Sequence, residues 1–369
     1  MFQQQTPLLV AVNIVLIFLL YYLTKPALAN EELTVFKRRM VLIISFAFCI
    51  FSFWGADWFH YNILFDEVKS GSMYSHFEDV YIWLIERVSG YYIFRIIIWG
   101  AALFFYYRTL KLLDINIDLA LFFFCSIYLI WFSYARVSLS ISLMFYGVTL
   151  VLKSRNFSLV KLLLGFFFII VSFFFHKSAP FGIAVVVFAL LLHRGAKFTT
   201  TIALITFPLI VFLVSSYFGE GMSMLMADED STLGEYATQG NRYLEAETGF
   251  RGMGIRVVSL FEKIPYYLLA LLCIMEVFGK KQLDKAKRYY YLVTILFVLV
   301  SSVFLFNIGV SGRVTYVRFI RYTQIPASIS LVYLFENNNY PRLFRYTYII
   351  GIIGAFVNLF YVLYCSIVG

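Results

Sequence analysis

The sequence predicts an all-α protein, a polytopic bundle of about twelve transmembrane helices forming one integral membrane domain over residues 1–369. Three observations carry this expectation. The chain is 62% hydrophobic and only 14% charged, whereas soluble domains run at about 45–50% and about 25%. Its apolar residues fall in successive runs close to the length that crosses a bilayer, roughly 17–25 residues. Lys and Arg collect in alternate connections between those runs, as topology rules require. No soluble core of 369 residues absorbs this much Leu, Ile, Val and Phe, so lipid must be the solvent for much of the surface; a mean hydropathy of +0.82 says the same.

The first run, 8–24, lacks a basic segment before it and is long enough to span. It is therefore read as a retained helix, although Ala27-Leu28-Ala29 faintly resembles a cleavage site. The next, 40–55, follows Lys37, Arg38 and Arg39. Residues 56–90 form an external, aromatic-rich segment, expected to hold an interfacial helix that re-enters as Tyr81-Ile82-Trp83-Leu84-Ile85. Runs at 91–110, 117–132 and 138–152 follow, the last two almost abutting around Arg136. Those at 158–175 and 179–193 flank His176-Lys177-Ser178, and 198–217 leads into an acidic, Gly-rich external segment, 218–256. Loops beyond about 12–15 residues are commonly functional, so this one is a candidate lid. The remaining runs are 257–278, 289–308, 316–335, which begins beyond the helix breakers Gly309 and Gly312, and 346–367.

Placing the connection 25–39 in the cytoplasm and alternating from there fixes the orientation. Arg108, Lys111, Lys153, Arg155, Lys161, Arg194, Lys197, Lys280, Lys281, Lys285, Lys287, Arg288, Arg342 and Arg345 then share that side with Lys25, Lys37, Arg38 and Arg39. Most of the 21 acids fall outside, among them Asp57, Glu78, Asp79, Glu86, Glu220 and Glu262. Both termini come out external. The net charge of +9 would point to nucleic acid in a soluble protein; here it reports topology. Cys49, Cys125, Cys273 and Cys365 all lie inside apolar runs without metal-ligand spacing and read as small hydrophobes. No phosphate-binding glycine loop, dinucleotide fingerprint or DxD pair is present, which argues against a nucleotide-sugar enzyme.

Charges at membrane depth are costly, and the outer ones call for a role. Arg313, Arg318 and Arg321 lie close together; Arg318 and Arg321 share a helix face, with Tyr322 beside them. Guanidinium groups so near one another repel unless an anion sits among them, and a diphosphate offers several oxygens to their bidentate forks. Snorkelling towards lipid phosphates is the plainer alternative. Arg136 opens a helix lined by Ser138, Ser140 and Ser142, on the side where basic anchors do not belong. His176 can serve as a base near neutral pH and Lys177 can add a phosphate contact. No second His or Cys stands at ligand spacing, so no metal is expected. Asp57, His60 and Tyr61 lie just beyond the second run and Glu78 just before Tyr81; these carboxylates can orient sugar hydroxyls, act as base, or neutralise the arginines. Trp54, Trp58, Tyr81 and Trp83 can stack on sugars or serve as the aromatic belt. Arg95, near the outer end of the third run, can join the cationic cluster or pair with Glu86 or Glu78, the pairing being the favoured reading.

In this order, Gly55-Ala56-Asp57-Trp58-Phe59-His60-Tyr61, Glu78-x-x-Tyr81-x-Trp83-Leu84, Arg136 before a Ser-rich helix, Phe175-His176-Lys177-Ser178-Ala179 and Arg318-x-x-Arg321-Tyr322 resemble the EpsG family of bacterial exopolysaccharide biosynthesis proteins, related in role to Wzy-type polymerases. The resemblance covers roughly residues 10–335. It implies a multi-span, GT-C-like glycosyltransferase of the bacterial cytoplasmic membrane, needing no cofactor. Its substrate would be an oligosaccharide repeat unit on undecaprenyl diphosphate, joined to another at the outer face. A chain-length regulator is a possible partner, and nucleic acid is not. In that reading Arg136, Arg313, Arg318 and Arg321 hold the donor diphosphate with Lys177, while Tyr322, His60 and Tyr61 contact substrate. His176, Asp57 or Glu78 acts on the acceptor hydroxyl. A flippase for the same lipid-linked sugars and a sugar O-acyltransferase using His176 are the alternatives. A flippase should carry mid-helix charges and a two-fold repeat, and neither is visible.

Overall fold

The computed structural model describes the backbone of residues 2–51, 63, 65–71, 78–126, 135–154, 158–176, 179–225, 250–279, 282–306 and 319–368. Side chains are described over the same segments except 2–7, 214–225, 250–262, 304–306, 358–359 and 361–368. No strand occurs among the described residues. The helices are α1 (Phe2–Leu28), α2 (Val35–Phe51), α3 (Asp79–Arg87), α4 (Tyr91–Leu113), α5 (Ile117–Ser126), α6 (Ala135–Leu152), α7 (Leu159–Phe174), α8 (Ala179–Leu192), α9 (Lys197–Leu225), α10 (Phe250–Phe278), α11 (Lys285–Phe306), α12 (Gln324–Asn337) and α13 (Pro341–Val368). Within the described residues, each apolar run of the sequence falls on one of them. Four are long and apolar enough to cross a membrane by length and composition, at Leu8–Leu28, Tyr91–Leu113, Ala135–Leu152 and Lys285–Val303; Ile117–Ser126, Leu159–Phe174, Ala179–Leu192 and Lys197–Leu213 are shorter apolar helices. In a setting without water, helices satisfy their own backbone groups, which favours this all-helical solution.

Caps rather than hydropathy set the helix ends. Thr34 Oγ1 accepts the Lys37 N–H at 3.3 Å, Asn116 Oδ1 the Leu119 N–H at 3.1 Å and Asp284 Oδ2 the Ala286 N–H at 3.0 Å. Asp114 (φ 57°) and Asn338 (φ 46°) close α4 and α12 in the left-handed conformation, where short polar side chains substitute for glycine.

Helices α11 and α12 form the centre. Tyr289 to Val293, Ile295 to Phe297, Ala327, Ile329, Leu331 and Val332 are all buried, with α6, α8, α9 and α10 around α11. At the periphery α7 turns Leu159, Val160, Leu163, Leu164, Phe167, Ile170 and Phe174 outward and keeps Gly165, Ile169 and Ser172 inward. A surface so apolar suits lipid and no aqueous neighbour. Small residues let α6 and α7 approach until their backbones nearly touch: a Cβ on Gly147 would lie 2.5 Å from the Gly165 carbonyl oxygen, and one on Gly165 2.7 Å from that of Gly147.

One end of the bundle is a basic seam. Lys197 Nζ donates to the Phe278 and Gly279 carbonyls at 3.1 and 2.5 Å, and Arg288 Nη2 to the Gly195 carbonyl and Thr200 Oγ1 at 2.6 and 3.0 Å. Lys287 reaches Glu336 at 3.8 Å, and Arg38 meets Asp118 at 3.7 Å. Cations here face the carbonyl ends of neighbouring helices, which the helix dipole favours. Buried Glu276 accepts from Asn339 Nδ2 at 2.7 Å at the same end. Among the described residues, the candidates Glu78, Arg136, His176 and Arg321 lie at the other end.

Candidate functional site

The site is built from the starts of α3 and α6 and the turn between α7 and α8. Glu78 is the N-cap residue of α3, with extended backbone (φ −67°, ψ 144°), yet its carboxylate does not cap its own helix. Instead Oε2 accepts from Arg136 Nη1 at 2.7 Å, and the two side chains are only 10% and 11% exposed. Arg136 stands in the first turn of α6, so the pair ties α3 to the bundle. Tyr81, one turn into α3, completes the clamp. Its hydroxyl donates to the Arg136 carbonyl at 3.2 Å, and its ring centre lies 5.7 Å from the guanidinium carbon. That ring is fully buried, meeting Phe94 and Phe175 edge-on at 5.9 Å each.

Phe175 leads directly to His176. The turn is fixed by the His176 N–H on the Phe173 carbonyl at 3.3 Å and the Ala179 N–H on the His176 carbonyl at 2.9 Å. The register of α6 against α7 sets its height. Ser140 Oγ donates to the Ser172 carbonyl at 2.8 Å, and Gly147 faces Gly165 seven residues further along each antiparallel helix. Continued four residues the other way, this register brings Arg136 level with His176. Ser138, Ser140 and Ser142 are buried below them, and Ser140 does what a polar residue in a helix interface should do, bonding across it.

Arg321, 7% exposed, opens a 3-10 turn, Arg321–Thr323, at the head of α12. Tyr322 anchors that turn: it is fully buried and stacked on Phe297 at 5.7 Å. It lies so close to α8 that a Cβ on Gly182 would be 2.5 Å from its Cε1 and 3.0 Å from Met144 Cε. Met144 lies two turns inward of Arg136 on α6, roughly 12 Å at 1.5 Å per residue. Arg321 thus belongs to the same end of the bundle as Arg136 and His176, seated deeper. Asp57, His60, Tyr61, Lys177, Arg313 and Arg318 lie outside the described residues, as do Trp54 and Trp58.

Two expectations change in detail. Arg95 is fully buried and donates to the Cys49 carbonyl at 3.0 Å, while the carboxylates expected near it close on other cations, Glu78 on Arg136 and Glu86 on Arg87 at 3.5 Å. Tyr81, read as a candidate sugar platform, is a buried strut. Its spacing from Ile85, one helical turn with both side chains inward, was the available signal. Trp83 fits the platform role better, being 56% exposed with the Arg87 guanidinium 4.2 Å over its ring.

No curated protein and no solved structure matches the chain. A family model described as the EpsG family matches residues 34–366, leaving out α1 and taking in α13 beyond the segment expected from the motifs. Nearly the whole chain is matched, with Glu78, Tyr81, Arg136, His176 and Arg321 all inside it, and the protein belongs to the EpsG family.

Proposed function

We propose that this protein is a polysaccharide polymerase acting on lipid-linked repeat units at the outer face of the bacterial cytoplasmic membrane. It transfers a glycan from undecaprenyl diphosphate to a sugar hydroxyl of a second unit. The observation that carries the reading is the buried pair of Arg136 with Glu78 at the bundle end that also carries His176, opposite the basic seam, in a chain of the EpsG family. The bundle crosses the membrane about twelve times, in a GT-C-like manner, with the basic seam in the cytoplasm.

Glycan transfer from a lipid diphosphate needs three things: cations for the charge on the departing diphosphate, an acceptor for the hydroxyl proton, and a site open to both lipid and water. Arg136, Arg313, Arg318 and Arg321, with Lys177, hold the donor diphosphate. His176, Asp57 or Glu78 takes the proton, and His60 and Tyr61 line the sugar side. Tyr322 seats the turn that carries Arg321. The reaction calls on no metal or cofactor, and a chain-length regulator is a natural partner in the membrane.

Alanine at Arg318 or Arg321 tests this in cells that make the polymer. Single repeat units should accumulate on lipid at the outer face while long polymer disappears. Normal chain lengths from both variants overturn the assignment, and units trapped on the cytoplasmic side identify a flippase instead.

A further inference from the structure

The basic end of the bundle gathers more positive charge than its own contacts use. We infer that the turn between α8 and α9, together with the start of α11, is a binding site for the phosphate of an anionic phospholipid in the leaflet this end faces. The site lies opposite the candidate active site and needs nothing from the polymerase reading.

His193, buried in that turn, sets the geometry. Its Nδ1 lies 2.5 Å from the Leu190 carbonyl oxygen, which can only accept, so Nδ1 carries the proton and Nε2 is left as an acceptor. Arg194 Nε donates to that Nε2 at 3.3 Å, which fixes the root of the guanidinium and leaves its terminal nitrogens for another partner. Arg288 is braced through Nη2 on the Gly195 carbonyl and Thr200 Oγ1, while its buried Nε has no acceptor. Lys285 stands one turn nearer the start of α11, on the same face as Arg288. Arg194, Lys285 and Arg288 all act electrostatically on the His193 ring, so the three converge on one place. Among the described residues none of them forms an ion pair with a carboxylate. Asp284, beside Lys285, turns to its own helix, where Oδ2 accepts the Ala286 N–H at 3.0 Å. Cations gathered without a counter-charge repel until an anion joins them, and a phosphodiester brings oxygens to several donors at once.

The surroundings of these cations select the anion. From the same turn α9 carries Phe198, Ile202, Ile205 and Leu209 along one exposed stripe, and Leu191 is exposed at the end of α8. A cationic cluster at the head of an outward apolar stripe matches a molecule with a charged phosphate and hydrocarbon chains; a free phosphate would leave the stripe unused. The headgroup must be net negative, because the amine of a zwitterionic lipid would meet the same cations. Bound there, the phosphate ties the α8–α9 turn to α11, so its binding reads out as stability.

Full-length protein in neutral detergent micelles, titrated with dioleoylphosphatidylglycerol, dioleoylphosphatidylcholine or inorganic phosphate, tests the site by thermal unfolding. Phosphatidylglycerol should raise the unfolding temperature saturably by several degrees, and the other two far less. Arg194→Gln combined with Lys285→Gln, both exposed positions, should need about tenfold more phosphatidylglycerol for half of the shift, because charge-assisted bonds are lost. Arg342→Gln combined with Arg345→Gln, exposed cations at the start of α13, should follow the wild type. Unfolding temperatures without lipid verify that each variant is folded. No shift, or an equal shift from phosphatidylcholine, overturns the anionic site, and an equal shift from inorganic phosphate overturns the lipid. A wild-type response from the Arg194 and Lys285 variant, or an equal loss in the α13 variant, overturns the assignment to this turn.

Discussion

The crossing of α6 and α7 offers the most direct structural test, because it sets the heights of Arg136 and His176. In Gly147→Ala the new methyl would lie 2.5 Å from the Gly165 carbonyl oxygen, 3.0 Å from the Ile169 backbone nitrogen and 3.0 Å from Ile169 Cγ1. Two of these three neighbours are backbone, so no flexible side chain can simply swing away. Restoring ordinary van der Waals separation requires the helices to part locally by roughly 1 Å, and overpacking of this kind costs about 1–3 kcal/mol. Gly165→Ala meets the Gly147 carbonyl at 2.7 Å and Val151 Cγ2 at 2.6 Å and should behave alike. Because either methyl opens the same gap, the double variant should lose less than the two single losses together. Thermal unfolding in detergent should fall by several degrees in each single variant, and polymer yield per folded molecule should also fall, since the displaced α6 carries Arg136. Unfolding temperatures equal to wild type in both single variants refute the close approach, and with it the register that brings Arg136 level with His176.

Three further outcomes follow from particular contacts. Arg136→Lys keeps the charge but loses the fork, so polymer formation should drop about tenfold or more with protein levels unchanged; wild-type rates contradict a bidentate role. Tyr81→Phe removes the bond to the Arg136 carbonyl, worth about 1 kcal/mol, and should lower the unfolding temperature slightly. Tyr81→Ala, emptying a fully buried ring site between Phe94 and Phe175, should cost about 3–5 kcal/mol; equal effects of the two changes argue against the strut. At the basic end, Asn339→Ala leaves the buried Glu276 carboxylate short of its 2.7 Å partner, an expected loss of about 1–3 kcal/mol. Turnover per folded molecule should stay at the wild-type value, and a selective loss of turnover contradicts the separation of the two ends.

The helices were legible because hydropathy and backbone satisfaction coincide in lipid. Their ends were less so: α1 continues to Leu28, α9 to Leu225, and α10 begins at Phe250, each beyond its apolar run. Hydropathy marks where side chains meet lipid, whereas caps such as Asn116, Asp114 and Asn338 decide where the backbone stops turning. A helix was expected over Tyr81–Ile85, and α3 extends over Asp79–Arg87. Within the site, Arg136, Glu78, His176 and Arg321 stood out singly, because each is a polar group where polarity needs a reason. Their partnerships did not. Glu78 and Arg136 lie far apart in sequence, and nothing in either segment distinguishes a partner for Arg95 from one for Arg136. Tyr81 and Trp83 read alike as interfacial aromatics, and only burial separates the strut from the exposed ring.

Reconstitution measures the main claim most simply. Liposomes containing only this protein and lipid-linked repeat units, oriented with the glycan on the accessible face, should yield a ladder of lengthening glycans together with free undecaprenyl diphosphate. Repeat units that remain single, whether stationary or moved to the opposite leaflet, would contradict it.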